Sequence, residues 1–285
     1  MRRNPLQNPL LLLVPALGIF SVALFTLRLV PRLMALISWA LRPSKSDGLL
    51  MAARYLERTP AFYSAPLVLL VLTLGLSAFT ASLARTLDSQ LDKQIHYQVG
   101  ADMNLVELGT TFNDDAPSPV YTFGPIEDHL TLPGVESATR VGRYKFTAIV
   151  PSGSLQGTFL AIDRMTIPTA AYWQRDFATE QLGVLMNQLA ANPKGILVPE
   201  NMLTQQKLEV GDTLRVSITT GVAGESIPFE SPIVGSFELF PTWYPEDGAM
   251  IVGSLEELFL TAGAEYPHEV WLGTGREADP ESIAY

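Results

Sequence analysis

Two apolar patterns organise the chain. Residues 59–84 (TPAFYSAPLVLLVLTLGLSAFTASLA) run for 26 positions without a charged side chain, and 65–83 are apolar apart from Thr73, Ser77, Thr80 and Ser82. At about 1.5 Å rise per residue, such a stretch covers the roughly 30 Å hydrocarbon core of a bilayer. Beyond it Leu83, Leu87, Leu91 and Ile95 recur every four residues through otherwise polar sequence, which is the spacing of one helix face. One helix is therefore expected to leave the membrane and continue into water as a stalk. From Pro60 to Gln98 it would measure about 58 Å.

A second uncharged window, 4–27, holds the apolar run 9–27. It is longer than the core of a usual signal peptide, and Leu-Arg-Leu-Val-Pro-Arg follows it rather than a small-x-small cleavage site. It reads as a membrane helix, with a cleaved signal as the rival reading. Residues 33–41 (LMALISWAL) are too short to span and suit the interface, with Trp39 near the headgroups. A turn cluster at 43–48 leads to a short amphipathic helix, 49–59. There Leu50, Ala53 and Leu56 share one side, largely away from Arg54, Glu57 and Arg58. Pro60 marks the bend into the membrane.

After the stalk the pattern changes. Strands are expected at 101–108, at 135–150 (one strand or a pair) and at 155–163, with a polar loop at 109–124 and a short helix at 125–132. Residues 166–189 read as helix in two pieces, interrupted by Pro168 and near Arg175-Asp176. A short buried strand at 195–199 and a helix at 200–208 follow. Val210-Gly211-Asp212 turns the chain into a strand at 213–219, and a hairpin loop at 221–224 precedes 227–238. A Pro/aromatic loop, 239–248, leads to a strand at 249–252. Ser254 and Glu257 form a capping box, and the last strand is 269–273. The fold class is α/β (mixed α+β): an extracytoplasmic domain on a membrane-helix stalk, with two transmembrane helices. No short-period repeat is visible.

Charge gives the orientation. Residues 1–85 hold nine Lys/Arg and two Asp/Glu, net +7, and residues 86–285 hold ten and 27, net −17. Arg28, Arg32, Arg42, Lys45, Arg54 and Arg58 place the loop between the two apolar runs in the cytoplasm. The acidic part and the N-terminus are then outside. A tail beginning Met-Arg-Arg would have to be translocated, a conflict that disappears if Met1 is not the natural start of the folded unit. The chain is expected to be a fragment of a longer membrane protein, truncated at both ends. Its acidic surface argues against nucleic acid as a partner.

Candidate chemistry is sparse. The absence of cysteine removes disulfides and thiolate sites. Three widely spaced histidines, His96, His129 and His268, do not suggest a metal site. Asp114-Asp115 and Glu127-Asp128-His129 are the densest ionisable group, and their loop and helix-start positions suit a solvated surface better than a catalytic cleft. Gly221-Val-Ala-Gly224 is no phosphate loop, and neither G-x-x-x-x-G-K-[ST] nor G-x-S-x-G occurs. The stiff apolar loop around Phe240, Trp243 and Tyr244 is the best ligand-contact candidate. The competing, favoured reading folds those rings onto the core or stalk. No catalytic, cofactor-binding or metal-binding residue is assigned, and no enzyme activity or cofactor is expected. Spans without interior charges do not make an independent carrier.

The order of blocks resembles a known family. MAARYLERTP runs into a membrane helix and stalk. VGADMNLVEL, LPGVESATRVGR, GTFLAIDRMTI, GILVPENMLTQQKLEVGDTLRVSI and IVGSFELFP follow. From about Met51 to about Gly273 this is similar to the FtsX-like permease family of ABC transporters, with its MacB-type periplasmic core domain. The N-terminal forty residues look like the junction of a duplicated member. The family continues with three further membrane helices, which are not present in this sequence.

The resemblance implies a layout of five segments. Residues 1–30 would be a membrane helix with a short outside tail, 31–59 a basic cytoplasmic connector, 60–84 a membrane helix, 85–98 the stalk and 99–285 the MacB-like domain. It implies a multi-pass protein of the cell membrane with 85–285 outside the cytoplasm. The implied partners are an ABC-type ATPase subunit, a second permease half or a homodimer, and the lipid bilayer. The outside domain would act on lipids, lipoproteins, peptides or cell-wall enzymes. The alternative is a membrane-anchored sensor or binding module without an ATPase partner.

Overall fold

A computed structural model describes residues 60–111, 120–220, 226–275 and 278, together with isolated positions between 17 and 55. The chain forms two compact units, Met1–Leu91 and Asp92–Tyr285. Most of the first apolar run, the connector and the amphipathic segment 49–59 lie outside the described residues. So do Asp114, Asp115 and the loop 221–224.

The first unit contains most of α1, Pro60–Val99, a single helix of 40 residues. Its hydroxyl side chains do not interrupt it. Thr73, Thr80 and Thr86 donate to the carbonyls of Leu70, Leu76 and Ser82 at 3.0, 2.9 and 2.9 Å. These three hydroxyls are thus satisfied within the helix, as an apolar surrounding requires of polar groups. Pro66 lies inside the helix near its start and removes one intrahelical bond. Among the described residues, Val68–Val99 is the one helix long and apolar enough to cross a membrane. The stripe Leu83, Leu87, Leu91 and Ile95 is exposed. The expected boundary at 98/99 differs from the observed one. Residues 92–99 of α1 belong to the second unit, where Tyr97 is buried in the core.

In the second unit, β1 (Met103–Glu107), β4 (Val135–Val150), β5 (Gly153–Ile162), β6 (Ile196–Pro199), β7 (Thr213–Thr219), β8 (Ser226–Phe237), β9 (Ala249–Ser254) and β10 (His268–Thr274) form one sheet in the order β1-β10-β4-β5-β9-β6-β8-β7. A further pairing of β7 with β4 closes six of the strands into a barrel. The 16-residue β4 makes this possible. Its first half pairs with β10, its second half pairs with β7, and its other edge pairs with β5 from Val141 to Val150. The β5–β9 and β6–β8 pairs are parallel and the rest antiparallel.

Strand period separates two cores. Along β4, Tyr144, Phe146, Ala148 and Val150 face the barrel interior with Phe159, Ile196, Val198, Val216, Ile218 and Ile251. The alternate residues Leu160, Ile162, Leu197, Met250 and Val252 face outward. They are covered by α3 (Leu182–Ala191) through Leu182, Leu185, Met186 and Leu189, and by Phe237, Phe240 and Trp243. Because both faces of β6 are covered, Ile-Leu-Val-Pro is buried throughout, as a continuous apolar run implies. The helices α4 (Glu200–Gln206) and α5 (Leu255–Ala262) add Met202, Leu255, Leu258 and Phe259 to the barrel core. A smaller cluster, Ala138, Val270 and Leu272, holds β1 through Met103 and Leu105.

Several local expectations are corrected. The segment 166–189 holds two helical pieces with a break around Arg175-Asp176, as expected, but Pro168 interrupts neither. A short α2 (Ile167–Ala170) carries Pro168 in its first turn, where a missing N–H costs nothing, and residues 171–181 are non-helical. The helix expected at 125–132 is a 3-10 helix, Ile126–Thr131. The polar loop 109–124 contains a small antiparallel ladder, β2 (Thr110–Thr111) with β3 (Tyr121–Thr122). At α5, the Ser254 oxygen accepts the Glu257 N–H at 3.3 Å.

Candidate functional site: the clamp on the end of the stalk helix

The last turn of α1 is built into the second unit. Tyr97 is buried, and its hydroxyl donates to the Trp243 carbonyl. Its ring packs edge-on against Phe177 at 5.3 Å and lies tilted against Tyr244 at 4.9 Å. The Tyr97 carbonyl accepts the Thr242 N–H at 2.7 Å, so a C-terminal carbonyl with no helical partner is satisfied by the aromatic loop. Burial raises the Tyr244 phenol pKa; a hydrogen bond with Gln98 opposes that rise, and Asp247 and Glu246 add to it.

Gly100 ends the helix. Its φ is +92°, its N–H donates to His96 O at 2.8 Å, and its carbonyl accepts from Tyr172 N at 2.8 Å. A Cβ here would sit 2.6 Å from the Trp271 ring. Only glycine gives both the backbone conformation and the space. Beside it, His96 Nε2 is 3.3 Å from Asp102 Oδ1, and Asp102 Oδ2 accepts Thr274 N–H at 2.7 Å.

A polar circuit closes around this helix end. Trp271 Nε1 donates to Glu269 Oε2 at 2.8 Å, and Asn104 Nδ2 donates to the same oxygen at 2.9 Å. Arg143 Nε lies 2.9 Å from Glu269 Oε1, and its Nη2 donates to Thr242 Oγ1 at 2.9 Å. Thr242, with φ of 69°, then donates its N–H to Tyr97. Helix, β10, β4 and aromatic loop are thus joined as Gly100–Trp271–Glu269–Arg143–Thr242–Tyr97. Burial pushes the Glu269 carboxyl up, but the hydrogen bond and charge of Arg143, with Trp271 and Asn104, outweigh it and hold its pKa below the usual value.

The sequence candidates fall in different places. Phe240 and Trp243 are buried in the core and Tyr244 rests on Tyr97, so the aromatic loop serves the clamp. Glu127 and Asp128 are exposed in the first turn of the 3-10 helix. Among the described residues, no three His, Asp or Glu side chains converge as a metal site. A cavity of about 180 Å³ beside the aromatic loop is lined by uncharged residues, including Met202, Gln205, Gln206, Trp243 and Pro245. Sequence reasoning missed Tyr97, Arg143, Thr242, Glu269 and Trp271. Arg143, Glu269 and Trp271 stood out only as charged or aromatic side chains within strands, whereas Tyr97 on the helix and Thr242 in the loop carried no signal in common with them.

No family model matches the chain, and no curated protein matches it. A solved structure that is similar is the extracellular domain of the noncanonic ABC-type transporter YknZ from Gram-positive bacteria. It shares 13% identity, with a TM-score of 0.41, over 63% of this chain and 88% of that one.

Proposed function

We propose that this chain is a permease subunit, or part of one, of an ABC transporter of the FtsX/MacB type. A partner ATPase would supply cytoplasmic movement, and α1 would carry that movement to the domain beyond the membrane, which acts on lipids, lipoproteins, peptides or cell-wall enzymes. The chain itself hydrolyses nothing in this reading. The observation that carries it is the continuity of Pro60–Val99, whose early turns are apolar enough for a bilayer and whose last turn is buried in the domain at Tyr97. A helix needed only as an anchor has no reason to end inside a core. The sequence blocks shared with the FtsX-like family support the same reading, as does the basic segment before α1.

The test is to isolate the full-length protein from its native membranes and attach a spin label to exposed Lys145 on the domain and another in the cytoplasmic connector. An ATPase subunit with Walker motifs should co-purify, and the label separation should change during ATP turnover. A preparation free of any ATPase, with a separation indifferent to ATP, would overturn the proposal in favour of an anchored sensor or binding module.

A further inference from the structure

At the end of the barrel where β5 and β9 start and β6 stops, a cavity of about 180 Å³ lies between α4 and the aromatic loop. It is several times the roughly 30 Å³ share of a water molecule. The helix wall is made largely of amides. Asn201 and Gln205 stand one turn apart on α4, as do Met202 and Gln206, so two adjacent rows of the helix line the space. Asn201 and Gln205 are exposed, and their side chains have no hydrogen-bond partner among the described residues. Gln206 Oε1 accepts from Ser152 Oγ, which leaves its NH2 group uncommitted.

The opposite wall is fixed by its own hydrogen bonds. Trp243 Nε1 donates to the Gly248 carbonyl at 3.0 Å, and the Trp243 carbonyl is held by the Tyr97 hydroxyl. Around Pro245, the Tyr244 N–H donates to Asp247 Oδ2 at 3.0 Å, and the Asp247 N–H returns to the Tyr244 carbonyl at 2.9 Å. The cavity is thus preformed, as ligand sites usually are.

The lining selects the class of ligand. It carries no ionisable side chain, so a charged ligand would lose its water without gaining a counter-charge. Trp243 is only 4% exposed and offers no ring face on which a base could stack. Strands β5, β6 and β9 have neighbours on both edges, so no strand edge is open to an extended peptide. What remains is three amides, each with a donor and an acceptor side by side, next to Met202 and Pro245. That pattern complements a sugar ring, whose hydroxyls donate and accept and whose C–H groups are apolar.

We propose that this cavity binds one neutral sugar ring, with the Asn201, Gln205 and Gln206 amides on its hydroxyls and Met202 and Pro245 against its C–H groups. Binding here is independent of any ATPase partner.

The test uses the full chain in lipid nanodiscs and reads its thermal midpoint. Glucose, galactose, mannose and N-acetylglucosamine are titrated singly to about 10 mM, roughly ten times a millimolar Kd. At least one should raise the midpoint by about 3–5 °C, because it binds the folded state alone. The rise should saturate, unlike the stabilisation given by excluded solutes. Glucose 6-phosphate and a trialanine capped at both ends should give smaller shifts than that sugar. Asn201→Ala/Gln205→Ala alters two exposed side chains, so its sugar-free midpoint should match the wild type while its Kd rises about tenfold or more. Gln205→Ala alone should give a smaller rise and covers the case of a destabilised double variant. Arg215→Leu, at an exposed position outside the cavity lining, should bind as the wild type does. No saturable shift from any of the four sugars, a wild-type Kd in both alanine variants, or a larger shift from the capped peptide or the phosphorylated sugar would each overturn the proposal.

Discussion

Gly100 and Arg143 bear the two strictest local requirements. At Gly100 the chain must turn with positive φ while its backbone lies against the Trp271 ring. Gly100→Ala adds backbone strain and a collision together, and about 2 kcal/mol or more should be lost in a urea titration of the domain. At Arg143 the requirement is electrostatic. Arg143→Met leaves the Glu269 carboxylate, only 16% exposed, with Asn104 and Trp271 as its donors, and about 1–3 kcal/mol should be lost at neutral pH. The pH profile gives a second readout. Since the folded Glu269 pKa is depressed, its contribution is present above the usual carboxylate value and lost as pH falls through the folded one. In Arg143→Met this acid-dependent part of the stability should shrink, and an unchanged profile of urea midpoint against pH would contradict the assignment.

At the scale of elements, α1 and β4 each belong to two structures at once. The apolar part of α1 lies in the first unit and its last turn in the second. Leu87→Pro removes an intrahelical bond and clashes with the preceding turn, at a cost of about 3 kcal/mol or more. If the proposed function holds, ATPase binding should survive in this variant while ATP-dependent displacement of the spin label on the domain is lost; a wild-type displacement would refute a mechanical role for the helix. Strand β4 switches partners midway, so its outward residues face solvent in the barrel half while Arg143 meets the clamp. Helix α3 covers the outer face through Leu185, fully buried, and Leu185→Ala should cost about 2–5 kcal/mol in thermal unfolding.

Element type and order were largely legible: β4, β7, β8 and the α5 cap follow from alternation and Ser254. Pro168 was misread as a helix breaker because sequence does not show that a helix of four residues begins beside it. Of the clamp, only the inward fold of Phe240, Trp243 and Tyr244 onto core and stalk was legible. Its members are spread from Tyr97 to Trp271, and no spacing rule relates residues that meet only when α1, β4 and β10 converge.

For the whole molecule, the second unit contains three apolar clusters and a closed barrel of its own, which predicts independent folding of residues 92–285. The same segment begun at residue 101 lacks Tyr97 and the Gly100 turn. Its unfolding midpoint should fall by several degrees, since loss of a buried aromatic ring removes about 3 kcal/mol or more. Equal midpoints would mean that the helix end is only draped on the domain.

The sequence by itself determined the apolar span, its continuation as a polar-faced helix, the charge asymmetry on either side and the alternation of a mixed α/β domain. These are properties of composition and period, readable from neighbours along the chain. Tertiary structure alone decided that β7 returns to β4 to close a barrel and that α1 ends inside a core. Each depends on contacts between residues distant in sequence, whose energies arise only once strands are in register and solvent is excluded.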